Sequence, residues 1–205
     1  MKREIGTTKP DTLREEWPGQ WTVFSHYEQL CCVPGALYVV TTKKESGKTN
    51  AGWFSSVSFH GDGGGHFSIL PGVMQFTHTY QNIVREKEFV VNFLSPQYNA
   101  YCRKLIINGG DDVDELEAAG LTAEDSKEIA TPRIQEAFLS FECKLESITD
   151  LSGKGMNALI IGRVVNVGVD ENHCGIPSVC GNFTYNVRTM TEEGEAGAFA
   201  RIEVL

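Results

Sequence analysis

Runs of apolar residues, separated by glycine, proline and polar turns, indicate that most of this chain forms β-strands. The β-branched run at 36–42 predicts one strand, and a turn at 43–48 returns the chain antiparallel along 49–58. The run at 89–94 is almost continuously apolar, which is typical of a strand buried on both faces. Residues 139–146 alternate most regularly between apolar and polar positions and predict the clearest strand.

Further elements follow from shorter signals. A turn at 153–155 predicts that 159–167 pairs back on 139–146, and Pro71 is expected to end a strand over 66–70. Helices are expected at 25–30, at 96–107, at 114–119, and from Thr77 or Thr79 as N-cap to about 88. A capping box at 122–125 predicts a further helical turn. An extended connector is expected at 130–134, and short strands at 183–187 and 199–204.

The sum of these elements predicts a mainly β fold with inserted α-helices, arranged as an antiparallel Greek-key or partly open barrel. No Pro/Gly/Ser-rich linker or block of charge divides the 205 residues, so a single domain is expected over 1–205. Within it we expect an N-terminal arm at about 1–30 and the barrel at about 35–205.

One strand carries more hydroxyl groups than a half-buried strand needs. Taken at a spacing of two, one face shows Trp53, Ser55, Val57 and Phe59, and the other shows Phe54, Ser56, Ser58 and His60. N–H groups of a small-residue turn, together with Thr and Ser hydroxyls, can bind phosphate oxygens, and adjacent aromatic residues suit a flat ring. An edge strand whose serines face water has the same pattern, so both interpretations are open here.

The start of the predicted helix at 77–83 is a second possible anion site. Thr77, His78 and Thr79 lie where the first helical N–H groups have no partner within the helix. A helix that is simply well capped has the same sequence, so this signal also has two interpretations.

Two other motifs are assigned no chemistry. The glycine cluster at 61–65 lacks the GK[ST] signature of a phosphate loop and lies between strands, so it predicts a hairpin turn. Cys174 and Cys180, with His173 beside them, match no common metal-ligand spacing. Without a secretory signal, the six cysteines are expected to be mostly reduced.

Composition and charge exclude several classes of partner. The hydrophobic fraction of 41% is sufficient for a core. The net charge of −9 disfavours nucleic acid and anionic membrane surfaces. No apolar run approaches the length of a membrane span, and no apolar region follows the N-terminal Met1–Ile5, so a cytoplasmic protein is expected.

Six segments together resemble one known family. They are Leu37–Thr42, Thr49–Ser58, His78–Ile83, Glu88–Asn92, Pro132–Glu136 and Glu142–Leu145. In this order they resemble the flavin reductase-like, FMN-binding split barrels, which include the flavoredoxins, and they cover about residues 35–170. The resemblance refines the expected fold to a split β-barrel.

The resemblance implies a homodimer that binds FMN at or near the subunit interface. The flavin ring edge and part of the phosphate tail would be held by Thr49, Asn50, Ala51, Gly52, Trp53, Ser55, Ser56 and Ser58, and the tail site would be completed by His78, Thr79 and Asn82. Many relatives have an Asp-Pro-Pro-like turn after the serine strand, whereas this chain has 60–65 in its place. The residues on the far side of the ring are therefore not assigned.

The function implied is that of an FMN-dependent oxidoreductase, in which NAD(P)H is the co-substrate and gives a hydride to FMN. The electrons then pass to free flavin, iron or a protein acceptor. The alternatives are a flavoredoxin-type FMN electron carrier without a nicotinamide site, and a non-catalytic FMN-binding or sensor domain. Because the flavin carries the hydride chemistry, we nominate no catalytic residue and no metal ligand. Arg133 is expected either to reach the phosphate across the dimer or to form a surface ion pair.

Overall fold

A computed structural model describes residues 4, 6–11, 15, 18–24, 33–106, 109–173, 183–187 and 198–200. Its strands are β1 (Gly35–Lys43), β2 (Thr49–Ser55), β3 (Ser58–Gly61), β4 (His66–Met74), β5 (Glu88–Leu94), β6 (Ala123–Glu124), β7 (Arg133–Ile134), β8 (Ala137–Asp150), β9 (Asn157–Val169), β10 (Tyr185–Val187) and β11 (Ala198–Ala200). Its α-helices are α1 (Gln20–Phe24), α2 (His78–Glu86), α3 (Asn99–Cys102) and α4 (Glu115–Ala119), and the 3₁₀ turns Pro96–Tyr98 and Arg103–Ile106 flank α3.

Most of these strands join one antiparallel sheet. Its order is β11-β10-β1-β5-β8-β9-β4-β3, and β2 pairs with the other edge of β1. The long hairpin of β8 and β9 connects the two halves of the sheet, and β6 and β7 form a separate short ladder. The expected mainly antiparallel β architecture with few helices is confirmed.

The core is divided into two clusters, one on each face of β1 and β5. Tyr38 and Val40 point into the larger cluster with Phe89 and Ile160. Val39 points the other way, into a cluster closed by the short helices at 99–119. All of 89–94 is buried, which confirms the prediction of a strand covered on both faces.

The hydroxyl-rich strand predicted over 49–58 is interrupted. β2 ends at Ser55, and β3 begins at Ser58 and pairs with β4 instead of β1. Ser56 lies in the gap between the two strands and has a φ of 71°, in the left-handed region. The expectation of one continuous strand was therefore wrong.

The strand predicted to end at Pro71 continues to Met74. A register shift between Leu70 and Val73 places Pro71 and Gly72 in a bulge, and pairing with β9 resumes at Val73. A bulge accommodates a proline because the ladder needs no N–H there.

Two helical predictions also failed. The chain at 96–107 forms two 3₁₀ turns around the short α3 rather than one helix, and a three-residue repeat turns both Cys102 and Leu105 inward. The capping-box signal at 122–125 is false, because Ala123 and Glu124 pair with β7 and the Thr122 N–H binds the carboxylate of Glu136 instead.

Other local predictions are confirmed. The glycine-rich segment 61–65 closes the β3–β4 hairpin, with Gly61 opposite His66. Thr77, not Thr79, is the N-cap of α2, and Asp114 and Gly120 bound α4. The expected helix at 25–30, four of the six cysteines (Cys31, Cys32, Cys174 and Cys180), and most of 199–204 lie outside the described residues. None of the helices in the described ranges is long and apolar enough to cross a bilayer.

Candidate functional site

The first half of the predicted cofactor segment, Thr49–Ala51, is enclosed on its outer edge by carboxylates. Asp114 Oδ2 accepts the N–H of Thr49 at 3.0 Å, and Glu115 Oε2 accepts the N–H of Ala51 at 2.8 Å. Both acceptors lie at the start of α4, which packs beside β2. These two N–H groups are therefore used within the protein and do not face an open anion site.

Lys44 neutralises the buried Glu115 carboxylate. Its Nζ lies 3.1 Å from Glu115 Oε1 and also donates to the carbonyl oxygens of Gly110 and Val113. The N–H of Gly109 donates to the same Oε1 at 3.1 Å. A buried ion pair is tolerated only when its remaining hydrogen-bonding groups have partners, and here each has one or more.

A network of neutral side chains joins the other face of this half-strand to α2. Asn50 Nδ2 donates to Thr42 Oγ1 at 3.0 Å and to Thr79 Oγ1 at 3.1 Å. Asn82 Nδ2 donates to the same Thr42 oxygen at 3.1 Å, and Arg85 binds Asn82 Oδ1 at 2.9 Å. The structure thus brings three predicted residues, Asn50, Thr79 and Asn82, into one buried cluster. Thr42 is its shared acceptor.

The start of α2 retains one unsatisfied polar atom. His78 Nδ1 is buried and makes no hydrogen bond, while Nε2 lies 3.6 Å from the exposed carboxylate of Asp111. The N-cap hydroxyl of Thr77 is already used by the N–H of Tyr80. Among the site residues predicted on α2, His78 therefore has a ring nitrogen that a ligand could bind.

The middle of the segment is lined by aromatic rings. Gly52 leaves no room for a larger residue, because an added Cβ would lie 2.6 Å from the Phe54 ring and 3.2 Å from Thr79 Oγ1. Phe54 stacks on Tyr38 in the larger core cluster, whereas the half-buried Trp53 packs against the smaller one. Trp53 and Phe54 thus point to opposite faces of β2.

The second half of the segment begins at a strained turn. Among the described non-glycine residues, only Ser56 and Lys87 have positive φ, and Lys87 is the ordinary left-handed C-cap of α2. The N–H of Ser56 is fixed by the carbonyl of Ala36 at 3.2 Å. No hydrogen bond to the hydroxyls of Ser55 or Ser56 occurs in the described part of the chain. These hydroxyls are free to bind a ligand.

The exposed strand β3 follows directly. Ser58 Oγ lies 2.8 Å from His60 Nε2, so this pair of side chains shares one hydrogen bond. Phe59 points to the opposite side of the strand and stacks on Phe141, with ring centroids 4.2 Å apart. All four residues of β3 are exposed, unlike those that begin β2.

Two groups of predicted site residues therefore differ in what they can offer FMN. Around Thr49–Ala51, Thr79 and Asn82, the N–H groups of Thr49 and Ala51 and the amide nitrogens of Asn50 and Asn82 already have protein partners. Trp53, Ser55 and Ser56, with His78, supply an aromatic surface, free hydroxyls and an unsatisfied ring nitrogen. Thr49 and Ser55 are six residues apart along a strand, a distance of about 20 Å. Residues at the two ends of β2 therefore cannot contact the same phosphate group.

Sequence reasoning missed three residues that organise the segment: Thr42, Asp114 and Glu115. The N-cap signal of Asp114 was visible in the sequence, and the helix it begins was predicted. Its contact with Thr49 was not visible, because 65 residues separate the two. A local pattern carries no information on such a contact.

Arg133 forms ion pairs within its own chain. Its Nε lies 2.6 Å from Glu124 Oε2, and its guanidinium lies 3.7 Å from Glu142 Oε1. Burial would raise the pKa of Glu142, but the N–H groups of Lys127 and Glu128, the Asn166 amide and the Arg133 charge together hold that pKa below its usual range. This arrangement agrees with the ion-pair interpretation of Arg133.

The two described free cysteines are not poised for thiolate chemistry. Burial raises the pKa of Cys102 and of Cys143 to about 12. Since the thiolate is the reactive form, both thiols are inert at neutral pH. In the described residues, no group of three or more His, Cys, Asp or Glu side chains could hold a metal ion.

Comparisons with known proteins point in one direction. The model of the flavin reductase like domain matches residues 30–185. An uncharacterised protein of Aquifex aeolicus is 41% identical over 100 residues. The match covers 46% of this chain and 49% of that protein, about half of its length. A candidate flavin reductase with a split barrel domain from Shewanella frigidimarina is 21% identical, with a TM-score of 0.73 over 88% of each chain. The flavoredoxin of Desulfovibrio vulgaris is 18% identical, with a TM-score of 0.72 over 100% of this chain and 96% of its own. The structural likenesses show the fold, and they confirm a split barrel.

Proposed function

This chain belongs to the flavin reductase-like family, and from that premise we propose that it is an FMN-dependent oxidoreductase. In the proposed reaction NAD(P)H donates a hydride to bound FMN, and the electrons pass on to free flavin, iron or a protein acceptor. The family match over residues 30–185 supports the flavin. The choice of donor and acceptor is our proposal.

The observation that carries the proposal is the turn at Ser56. A serine held at a φ of 71° costs about 1–2 kcal/mol relative to an ordinary conformation. Backbone strain of this kind is concentrated at functional sites, where the surrounding structure maintains it. Here it lies between Ser55 and Ser58, within the segment that the family resemblance assigns to FMN.

In this proposal the protein's own residues bind the cofactor and orient it. Bound FMN supplies the hydride and electron chemistry. The indole of Trp53 offers an aromatic surface beside the ring, and the hydroxyls of Ser55 and Ser56 donate to polar atoms of the cofactor. His78 Nδ1 would take a partner at the α2 end of β2. The predicted roles of Thr49, Asn50, Ala51, Gly52, Thr79 and Asn82 become supporting ones, since they hold β2 in place.

Anaerobic reduction tests the reductase. The purified protein is reconstituted with FMN, freed of excess cofactor, and mixed with NADH or NADPH while the visible flavin absorbance is followed. We expect the absorbance to bleach with at least one of the two donors and to return when air is admitted. An FMN spectrum that neither donor bleaches would contradict hydride transfer from NAD(P)H.

A flavoredoxin-type electron carrier is the second candidate function. The charge at the Thr49 end of β2 favours it, because the carboxylates of Asp111 and Asp114 lie along one side of β2 and α2. The nearby basic residues Lys44 and Arg85 are already ion-paired, with Glu115 and Glu86. Such a site disfavours the two phosphates of a dinucleotide. Reversible reduction of the bound FMN by a protein donor, without bleaching by NAD(P)H, would support the carrier, and a protein that fails to retain FMN would support a sensor domain.

We also propose that the protein is a cytoplasmic homodimer. Buried, unpaired Cys102 and Cys143 are compatible with a reducing compartment. Val167 and Val169 expose apolar surface on β9, next to Phe141 and Leu139 on β8, and a second copy could cover it. Light scattering on Val167→Asp, expected to be monomeric, against the dimeric parent protein tests this assembly. A monomeric parent would contradict it.

A further inference from the structure

Glu115 links the cofactor segment to a helix that takes no part in the sheet. Glu115 is only 6% exposed, and three donors converge on its carboxylate: the N–H groups of Ala51 and Gly109 and the ammonium group of Lys44. Each oxygen is used, because Oε2 accepts from Ala51 and Oε1 from the other two. The geometry therefore requires a carboxylate, since an amide would place a donor against a donor.

The carboxylates of Asp114 and Glu115 replace a neighbouring strand. Among the described strands, β2 pairs only with β1, so its outward N–H groups lack a ladder partner. Those of Thr49 and Ala51 bind the carboxylates of Asp114 and Glu115, at consecutive outward positions of the strand. Leaving a buried N–H without a partner is unfavourable, so these contacts set where β2 can lie.

The position of β2 determines the position of the proposed FMN contacts. Ala51 is two residues from Trp53, and the strand continues without a break to Ser55 and the strained Ser56. The other edge of β2 is fixed by β1, and one face is fixed through Asn50 and Thr79. The remaining lateral contacts come from Asp114 and, nearer to Trp53, from Glu115.

We propose that Glu115, neutralised by Lys44, is a positioning residue of the flavin site. It touches no ligand and acts through the N–H of Ala51, which holds β2 in the register and tilt that present Trp53, Ser55 and Ser56 to the cofactor. This inference rests on the proposed FMN site, and the experiment below separates the failure of one from the failure of the other.

The chain provides a matched control in Glu142. This carboxylate is also fully buried, and it also receives three N–H donors, from the backbone of Lys127 and Glu128 and from the Asn166 side chain, with Arg133 beside it. It holds the loop after β6, and none of these hydrogen bonds is to β2. Replacing either glutamate by glutamine creates the same donor conflict, but only one of them lies at the cofactor segment.

The test compares FMN binding by the parent protein, Glu115→Gln and Glu142→Gln in their apo forms. FMN fluorescence titration gives the affinity, and visible circular dichroism at saturating FMN reports the asymmetry around the bound ring. We expect Glu115→Gln to bind FMN about tenfold more weakly with a changed dichroic spectrum, as the loss of one hydrogen bond to a charged group would give. Glu142→Gln should keep the FMN affinity and the dichroic spectrum of the parent protein, even if its melting temperature falls as much as that of Glu115→Gln.

A second variant keeps the proposal testable if Glu115→Gln does not fold. Asp114→Ser retains a good N-cap for Glu117 but is too short to reach the N–H of Thr49. We expect its FMN affinity to fall about threefold with little change in melting temperature. Equal FMN binding by the Glu115, Asp114 and Glu142 variants would overturn the positioning role, whereas a parent protein that binds no FMN would overturn the proposed function itself.

Discussion

The two halves of the segment from Thr49 to Gly61 both carry hydroxyl-bearing residues but lie in opposite environments. In the first half, Thr49, Asn50 and Ala51 are buried, and carboxylates, amides and hydroxyls of other elements bind their polar groups. In the second half, Ser56 and all of β3 are exposed, and the chain turns through a strained conformation. The first half is scaffold and the second half is available to a ligand.

The difference comes from what covers each half. The helices α2 and α4 pack against the first three residues of β2 and supply acceptors to both its edge and its face. Beyond Ser55 the chain leaves β1 and pairs only with β4. Hydroxyl and amide side chains stabilise the fold where other elements supply their hydrogen-bond partners. Where no element supplies a partner, they remain free.

The largest effect is expected at Thr42, the shared acceptor of the buried network. Thr42→Val keeps the shape of the side chain but leaves the amide donors of Asn50 and Asn82 without their acceptor. We expect the free energy of unfolding to fall by about 3 kcal/mol, measured by urea denaturation. The same substitution at exposed Thr149 on β8 should change it by less than about 0.5 kcal/mol. Equal effects at the two sites would remove the distinction between scaffold and site.

The next largest effect is expected at Gly52, where the scaffold half ends. In Gly52→Ala the new methyl group would meet the Phe54 ring and the Thr79 hydroxyl. We expect a loss of about 2 kcal/mol in unfolding free energy, as for other overpacked core positions. Gly64→Ala, in the exposed hairpin, provides the control and should be nearly neutral. A neutral Gly52→Ala would mean that β2 and α2 are packed less closely than the structure indicates.

A smaller effect of opposite sign is expected at Ser56. Ser56→Gly relieves the left-handed conformation and should raise the unfolding free energy by up to about 1 kcal/mol. It also removes a free hydroxyl, so FMN should bind about fivefold more weakly. Lys87→Gly relieves the other positive φ and should leave FMN binding unchanged. Unchanged FMN affinity in Ser56→Gly would place the cofactor away from the turn.

The smallest effect is expected at Ser58. Its hydroxyl is exposed and bonded to His60, so Ser58→Ala should change the unfolding free energy by less than about 0.5 kcal/mol. FMN affinity should fall by about threefold or less, measured by fluorescence titration. A larger loss of affinity than in Ser56→Gly would move the centre of the site from the turn to β3.

Much of the fold could be predicted from local patterns. The alternation at 139–146, the apolar run at 89–94 and the glycine turn at 61–65 each specify an element through residues that lie close together in the sequence. The failures have tertiary causes. The capping-box signal at 122–125 was overridden by pairing with β7 and by the Glu136 carboxylate.

The site was less predictable than the fold. The sequence marks the hydroxyl-rich segment, but a serine gives no sign of the positive φ that divides it at Ser56. The contact of Glu115 with Ala51 joins residues 64 positions apart, so no local spacing reveals it. The division between the buried and the exposed half of the segment therefore became visible only in three dimensions.

The most direct test of the account is a titration of the parent apo-protein into FMN, followed by flavin fluorescence. The account predicts that the emission changes to a sharp end point at equal concentrations of FMN and protein chain, and that the product is yellow after removal of free cofactor. An emission that stays that of free FMN at every protein concentration would contradict it.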